Sequence, residues 1–214
     1  MSSLFQRVTD CGVIAVLRAK STAELMDVAN ALYAGGVTAI EVTMTTPGAL
    51  DVIKVVSAEL GGKVVVGVGS VLDPETARAA ILAGADYVVA PTLNEAVVRI
   101  TKRYGKVSIP GAFTPTEILR AWDSGADAVK VFPTSSVGPQ YLKDLKGPLP
   151  QIPLVPTGGV SVETCGDFIR AGAVAVGAGS ALVDSKAVAA GDWATIADTA
   201  KRMVEEVRKA RAGS

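Results

Sequence analysis

Lys130 lies in the stretch Ser124-Gly-Ala-Asp-Ala-Val-Lys-Val-Phe-Pro-Thr134, where Ala128, Val129, Val131 and Phe132 surround it with apolar, partly β-branched residues. Gly125 and Asp127 precede the run and Pro133 ends it, so the pattern predicts a buried β-strand carrying one lysine. An ammonium taken out of water without a partner is costly, and such a group lowers its pKa instead, by up to roughly 3–5 units when fully buried. A lysine that is neutral near pH 7 is a nucleophile and forms a Schiff base with a carbonyl substrate. The alternative is a strand lysine that points outward and snorkels between helices.

A second run repeats the anomaly. Thr38-Ala-Ile-Glu-Val-Thr43 places Glu41 among apolar residues, and Gly12-Val-Ile-Ala-Val-Leu-Arg18 reads as a first strand ending on Arg18. Glu41 and Lys130 can be read as a structural ion pair, but desolvation offsets much of the attraction within a buried pair. A Schiff-base lysine beside a carboxylate general acid–base is the better account. Two glycine clusters, Thr157-Gly158-Gly159-Val160 and Gly177-Ala178-Gly179-Ser180, offer bare backbone N–H groups of the kind that bind phosphate, although tight turns need glycine too. Gly67-Val-Gly-Ser70 adds further N–H groups and a hydroxyl, and Arg18 offers the forked donors that suit a carboxylate. The substrate sketched by these groups is a keto acid with a phosphate at its far end.

Inventory excludes other chemistries. The chain has no histidine, and Cys11 and Cys165 lie far apart with no second cysteine near either. A zinc site of the usual Cys/His type, a Ser-His-Asp triad and a Cys-His pair are therefore ruled out. A magnesium site held by carboxylates stays open, but no cluster marks one. Lys+Arg and Asp+Glu balance at 21 each, without long blocks of one sign, which points away from nucleic acid and membrane surfaces and toward a small-molecule partner. The N-terminus lacks a basic stretch followed by an apolar one, and no apolar run approaches the eighteen or so residues of a membrane span, so a soluble, cytoplasmic protein is expected.

The elements that position these residues alternate. At 214 residues, 49% hydrophobic and only 5% aromatic, the chain fits a single domain over residues 1–214 with an aliphatic core. A short helix over 2–10 precedes the first strand, over 12–18, and Ser21 with Glu24 marks a capping-box start for a helix running to 34. Strands are expected at 38–43, 63–70, 86–91, 106–110, 128–132, 153–157 and 173–177, and helices at about 49–59, from Asp73-Pro74, at 94–104, from Thr114-Pro115, near 141–145, at 161–171 and at about 192–211. Ala34-Gly35-Gly36-Val37, Ala83-Gly84-Ala85-Asp86, Ser124-Gly125-Ala126-Asp127 and Ala171-Gly172-Ala173-Val174 each stop a helix just before a strand, about every 40 to 50 residues. The reading is an α/β chain folded as a (β/α)8 TIM barrel with an additional N-terminal helix. An open doubly wound sheet also alternates, but wants a G-x-G-x-x-G turn where this chain has Arg18-Ala-Lys-Ser-Thr. In a barrel, Arg18, Glu41 and Lys130 come from strands one, two and six and converge at the C-terminal mouth, and the late glycine clusters follow strands seven and eight, where barrels most often hold phosphate.

With these residues in place, the chain resembles the 2-keto-3-deoxy-6-phosphogluconate (KDPG) aldolases, a class I family of (β/α)8 barrels. The likeness runs over nearly the whole length through Ala15-Val-Leu-Arg18, Ala34-Gly-Gly-Val37, Ile40-Glu-Val-Thr43, Val66-Gly-Val-Gly-Ser-Val71, Val129-Lys-Val-Phe-Pro133, Val137-Gly-Pro-Gln-Tyr141, Pro156-Thr-Gly-Gly-Val160 and Val176-Gly-Ala-Gly-Ser180. The resemblance implies retro-aldol cleavage of KDPG to pyruvate and glyceraldehyde 3-phosphate. Lys130 would form the imine, and Glu41 would take the C4 hydroxyl proton and later protonate the pyruvyl enamine. Thr157, Gly158, Gly159, Gly177, Gly179 and Ser180 would hold the phosphate, while Pro91 and Phe132 would wall the pyruvyl pocket. It also implies a metal-free, cofactor-free enzyme and a homotrimer, with 4-hydroxy-2-oxoglutarate as a further substrate.

Two departures stand out. Many members carry an arginine four residues after the glutamate for the pyruvyl carboxylate, and here that substrate-binding position is Thr45, so Arg18 is expected to replace it. The threonine of the usual G-x-G-T turn is Ser70, which keeps the hydroxyl. Thr157 favours the gluconate over the galactonate epimer without settling it. A phosphate-binding isomerase or epimerase barrel and a non-catalytic scaffold are the rival readings; sugar-phosphate epimerases need metal-binding histidines, and the Glu41/Lys130 pair argues against a scaffold.

Overall fold

The computed structural model describes residues 3–18 and 21–213, so the turn over 19–20 expected after the first strand, and residue 2 of the N-terminal helix, lie outside the described residues. The chain runs α1 (Ser3–Thr9), β1 (Val13–Leu17), α2 (Thr22–Ala34), β2 (Ala39–Thr43), α3 (Ala49–Leu60), β3 (Val65–Gly69), α4 (Pro74–Ala83), β4 (Tyr87–Val89) and α5 (Glu95–Arg103). It continues through β5 (Val107–Ile109), β6 (Gly111–Ala112), α6 (Pro115–Asp123), β7 (Val129–Val131), α7 (Gly138–Lys146), β8 (Leu154–Pro156), α8 (Val162–Arg170), β9 (Val176–Ala178), α9 (Ser185–Ala190) and α10 (Trp193–Ala212).

Helices start where side chains satisfy their free N–H groups. Ser21 accepts from the Glu24 N–H, and Asp73 accepts from the Thr76 N–H at 2.7 Å with Pro74 in the first turn. Thr114 and Glu117 form a reciprocal capping box, as do Ser161 and Thr164. The helix α9, capped by Asp184, has no counterpart among the expected elements; its Ser-Lys-Ala-Val-Ala-Ala sequence is too short to show an apolar period.

All strand pairs are parallel. One sheet has the order β5-β4-β3-β2-β1-β9 and a second the order β6-β7-β8, with isolated bridges Leu154 to Ala173 and Thr157 to Gly177 between the ends of the two. The fold is thus α/β with parallel strands in a curled sheet, like a TIM barrel. The expected fifth strand, 106–110, is present as β5, which pairs with β4, and an unexpected two-residue strand, β6, follows it beyond Pro110 and pairs with β7. Pro110 lies at the break because it has no N–H to give to a ladder, while its carbonyl accepts from the Lys130 N–H at 2.9 Å.

Alternation along the strands sorts the core into two layers. Val13, Ala15, Leu17, Ile40, Val42, Val66, Val68, Val129 and Val131 pack outward against the helices. Ile14, Ala39, Val65, Tyr87, Val89, Val107, Ile109, Ala128, Val155 and Ala175 form the inner layer, and α1 adds Phe5 and Val8 to it beside the start of β1. These two side chains pack α1 against the inner layer at β1 and β2.

Candidate active site

The inner parity of each strand carries the polar residues of the site. Glu41 follows Ala39 at an interval of two and Lys130 follows Ala128, so both point into the same space. They are 2% and 7% exposed, which discards the outward, snorkelling lysine. Among the described residues no ion pair joins them within 4 Å, and Glu41 Oε1 has no hydrogen-bond partner. The Lys130 ammonium lies 5.2 Å from the ring centroid of Phe132.

Burial pushes the Glu41 carboxyl above its ordinary value, and the nearby charges of Lys130 and, less strongly, Arg18 pull it back. A carboxyl held in this balance exchanges its proton nearer to neutrality than a solvated one. Arg18 itself is exposed at the C-terminal end of β1, so its charge reaches Glu41 from the mouth of the interior.

Two of the three inner positions of β3, after Val65, are glycine, and each makes room for a neighbour. A methyl on Gly69 would overlap the Glu41 carboxylate, and one on Gly67 would overlap the Tyr87 ring. Ser70 follows with φ 59, the one positive φ of a non-glycine residue among those described, and sits half-buried at the rim. Thr45 is exposed; its hydroxyl lies 2.8 Å from that of Thr43.

The two late glycine clusters meet. Thr157 bridges to Gly177, and a methyl on Gly177 would overlap the Thr157 hydroxyl. Gly158 and Gly159 have φ of 95 and 74, a turn that L side chains resist, and α8 starts just beyond at its Ser161 cap. Thr134 braces this turn: its hydroxyl donates to the Gly158 carbonyl at 2.6 Å, and its N–H donates to the Thr157 carbonyl at 3.0 Å. After β9 the chain turns at Gly179, whose carbonyl accepts from the Leu182 and Val183 N–H groups, and Ser180 is exposed. No helix opens directly at this second cluster, so only the first combines glycine N–H groups with a helix N-terminus.

Pro91 and Phe132 border a cleft of about 790 Å³ that also takes in Leu72, Leu93, Gly111 and Phe113. Glu41 and Lys130 do not line it. Sequence reasoning assigned no role to Tyr87 or Thr134. Thr134 had no signal, being one of many turn threonines; Tyr87 had one, a tyrosine on a strand buried on both faces. No group of three or more His, Cys, Asp or Glu suited to a metal occurs among the described residues, and no helix there is long and apolar enough to cross a membrane.

Comparison with known proteins places this arrangement. The aldolase family model described as KDPG and KHG aldolase matches residues 4–199. The 2-dehydro-3-deoxy-phosphogluconate aldolase of Pseudomonas aeruginosa is 34% identical over 200 residues, covering 93% of this chain and 90% of that protein. The 2-dehydro-3-deoxy-6-phosphogalactonate aldolase of Escherichia coli is 35% identical over 175 residues, covering 81% and 85%. A solved KDPG aldolase from Legionella pneumophila, with pyruvate captured at low pH as a covalent carbinolamine intermediate, matches with a TM-score of 0.85 at 25% identity, covering 94% of this chain and 96% of that one.

Proposed function

Since the chain belongs to the KDPG and KHG aldolase family, whose members are carbon–carbon lyases, we propose that it is a Schiff-base aldolase cleaving KDPG to pyruvate and glyceraldehyde 3-phosphate, with 4-hydroxy-2-oxoglutarate as a second substrate. The observation that carries this reading is the pair Glu41 and Lys130, buried together on one inner face without an ion pair between them.

Lys130 Nζ attacks the keto carbon, and loss of water leaves an iminium. Glu41 takes the proton of the C4 hydroxyl as the C3–C4 bond breaks, and the electron pair of that bond passes to the iminium nitrogen, leaving an enamine. The protonated Glu41 then returns a proton to C3, and water releases pyruvate from Lys130. The raised proton affinity of Glu41 supports a group that both takes and gives a proton. Arg18, Thr45 and Ser70 receive the pyruvyl carboxylate end, Phe132 and Pro91 flank it, and Thr157, Gly158, Gly159, Gly177, Gly179 and Ser180 take the phosphate. The Thr157 to Gly177 bridge supports one shared phosphate cradle rather than two separate turns.

The galactonate epimer is a second reading, favoured by the 35% identity to a relative named for it; Thr157 supports the gluconate epimer instead. The finer architecture belongs to the same proposal: one (β/α)8 barrel over residues 1–214, closed through the β8 to β9 bridges, with an N-terminal helix. So do a homotrimer, supported by the exposed Leu72 and Phe132 beside one cleft, and a cytoplasmic location, supported by two cysteines that are both free thiols.

The test is incubation with pyruvate and borohydride followed by peptide mass mapping. A pyruvyl adduct on Lys130 is expected, and comparison of the two epimers as substrates then assigns the aldehyde. An unmodified Lys130 in folded protein would remove the Schiff-base reading and return the isomerase and scaffold alternatives.

A further inference from the structure

Among the described residues, Glu41 Oε1, Thr46 Oγ1 and the Tyr87 hydroxyl are buried without a hydrogen-bond partner. Two of the three are on the inner face, and they belong to one row: Glu41 pairs in register with Gly67, and Gly67 pairs with Tyr87. A buried polar atom left without a partner costs about 1–3 kcal/mol in general. Two such atoms on adjoining strands call for a common explanation.

The two inner glycines of β3 supply it. Tyr87 reaches across from β4 so that its Cε2 and Cζ fill the place of a side chain on Gly67, and Cζ is the atom that bears the hydroxyl. The phenol oxygen is thereby carried over β3 toward β2. Glu41 leans onto β3 from the other side, with Oε1 against Gly69. Gly67 and Gly69 are one strand repeat apart, about 6–7 Å, and no direct hydrogen bond joins Tyr87 to Glu41. The two groups thus cover neighbouring inner positions of β3, and one water, which links two oxygens about 5–5.5 Å apart, is the simplest partner that would serve both.

We propose that Tyr87 is a positioning residue for Glu41, its hydroxyl donating through one buried water to the carboxylate. The inference rests on the acid–base reading of Glu41 and deepens it. Burial keeps the Tyr87 phenol well above 10, with Glu41 and then Cys11 and Asp86 adding to the shift, so throughout the working range it is a proton donor. The charged groups that face Glu41 are Lys130 from β7 and Arg18 from the end of β1. They attract the carboxylate as charges, whereas the tyrosine link supplies a directed donor that orients one oxygen and favours the ionised form.

Tyr87→Phe keeps the ring over Gly67 and removes only the donor. The test follows exchange of the pyruvate methyl protons with deuterated water, by NMR from about pH 5 to 9, for the wild type, Tyr87→Phe and Glu41→Gln, together with thermal unfolding. In Tyr87→Phe the acid limb of the rate is expected to move up by about one pH unit, with the pyruvate half-saturation within about two-fold and the unfolding temperature no lower. A role in packing alone would move the unfolding temperature and leave the limb in place. If Glu41→Gln loses exchange while the Tyr87→Phe limb coincides with the wild type or moves down, this inference is overturned by itself. If Glu41→Gln exchanges like the wild type, the acid–base reading fails, and the inference with it.

Discussion

The Glu41 carboxylate rests on the bare Cα of Gly69 on the neighbouring strand, so that a methyl there would overlap Oε1, Cδ and Cγ of Glu41. The carboxylate is therefore placed by a missing side chain as much as by any contact it makes. Its position over β3 follows from the register in which Thr43 pairs with Gly69 and Glu41 with Gly67.

Gly69→Ala should displace the carboxylate while keeping the fold. Misplacement of a reacting group by about 1 Å can cost about 10²-fold in rate, and overpacking of this kind costs about 1–3 kcal/mol. Steady-state cleavage and thermal unfolding measured together should show a large loss of kcat with a fall of several degrees in Tm. Unchanged kcat in folded protein would mean that Glu41 can leave Gly69 freely.

The pH dependence of stability has a definite sign. Burial lifts the folded Glu41 carboxyl above its ordinary 4.5, so between that value and the raised one the folded chain holds a proton that the unfolded chain releases. Stability contributed at this site is present below the unfolded value and is lost as pH rises through the window. Glu41→Gln has no such proton. Its unfolding free energy, from denaturant titrations, should gain on the wild type as pH rises above the ordinary carboxyl value and level off once pH has passed the raised one. A difference that shrinks instead would mean that Lys130 and Arg18 outweigh burial.

Arg18→Ala tests the replacement of the arginine missing at Thr45. Loss of a charge-assisted pair costs about 1.5–3 kcal/mol, so the pyruvate concentration for half-maximal borohydride trapping should rise about tenfold or more. Thr45→Arg in the same background should recover part of it. Equal half-saturation in Arg18→Ala and wild type would dismiss Arg18 as the carboxylate's partner.

Gly159→Ala separates the phosphate end from the keto end. The residue sits at φ 74 with Ser135 Cα only 2.8 Å from an added methyl, so the turn must shift. The KM for KDPG should rise about tenfold, while methyl exchange of pyruvate, which carries no phosphate, should stay within about two-fold. Equal losses for both substrates would remove the turn from phosphate binding.

Much of this was legible in the chain because burial leaves its mark on composition. Glu41 and Lys130 stood out as charges inside apolar runs, and the period of two along Ala39-Ile-Glu-Val-Thr43 already placed Glu41 opposite in facing to Ile40 and Val42. Caps at Ser21, Asp73, Thr114 and Ser161 start the helices they announce. The break at Pro110 was less legible, since a proline may close a strand or divide one, and only the different partners of β5 and β6 decide between them.

The sequence by itself determined the alternation of elements, the parity of each strand and the residue types that reach the interior, because these depend on local geometry and on which side chains tolerate burial. Tertiary structure alone decided what each inward residue meets. The resting place of Glu41 on Gly69, the reach of Tyr87 across Gly67, the bridge from Thr157 to Gly177 and the bond from Thr134 to Gly158 all depend on register between strands or on loops far apart in the chain. Register is a relation between segments, fixed when the whole inner layer packs, and no single segment contains it.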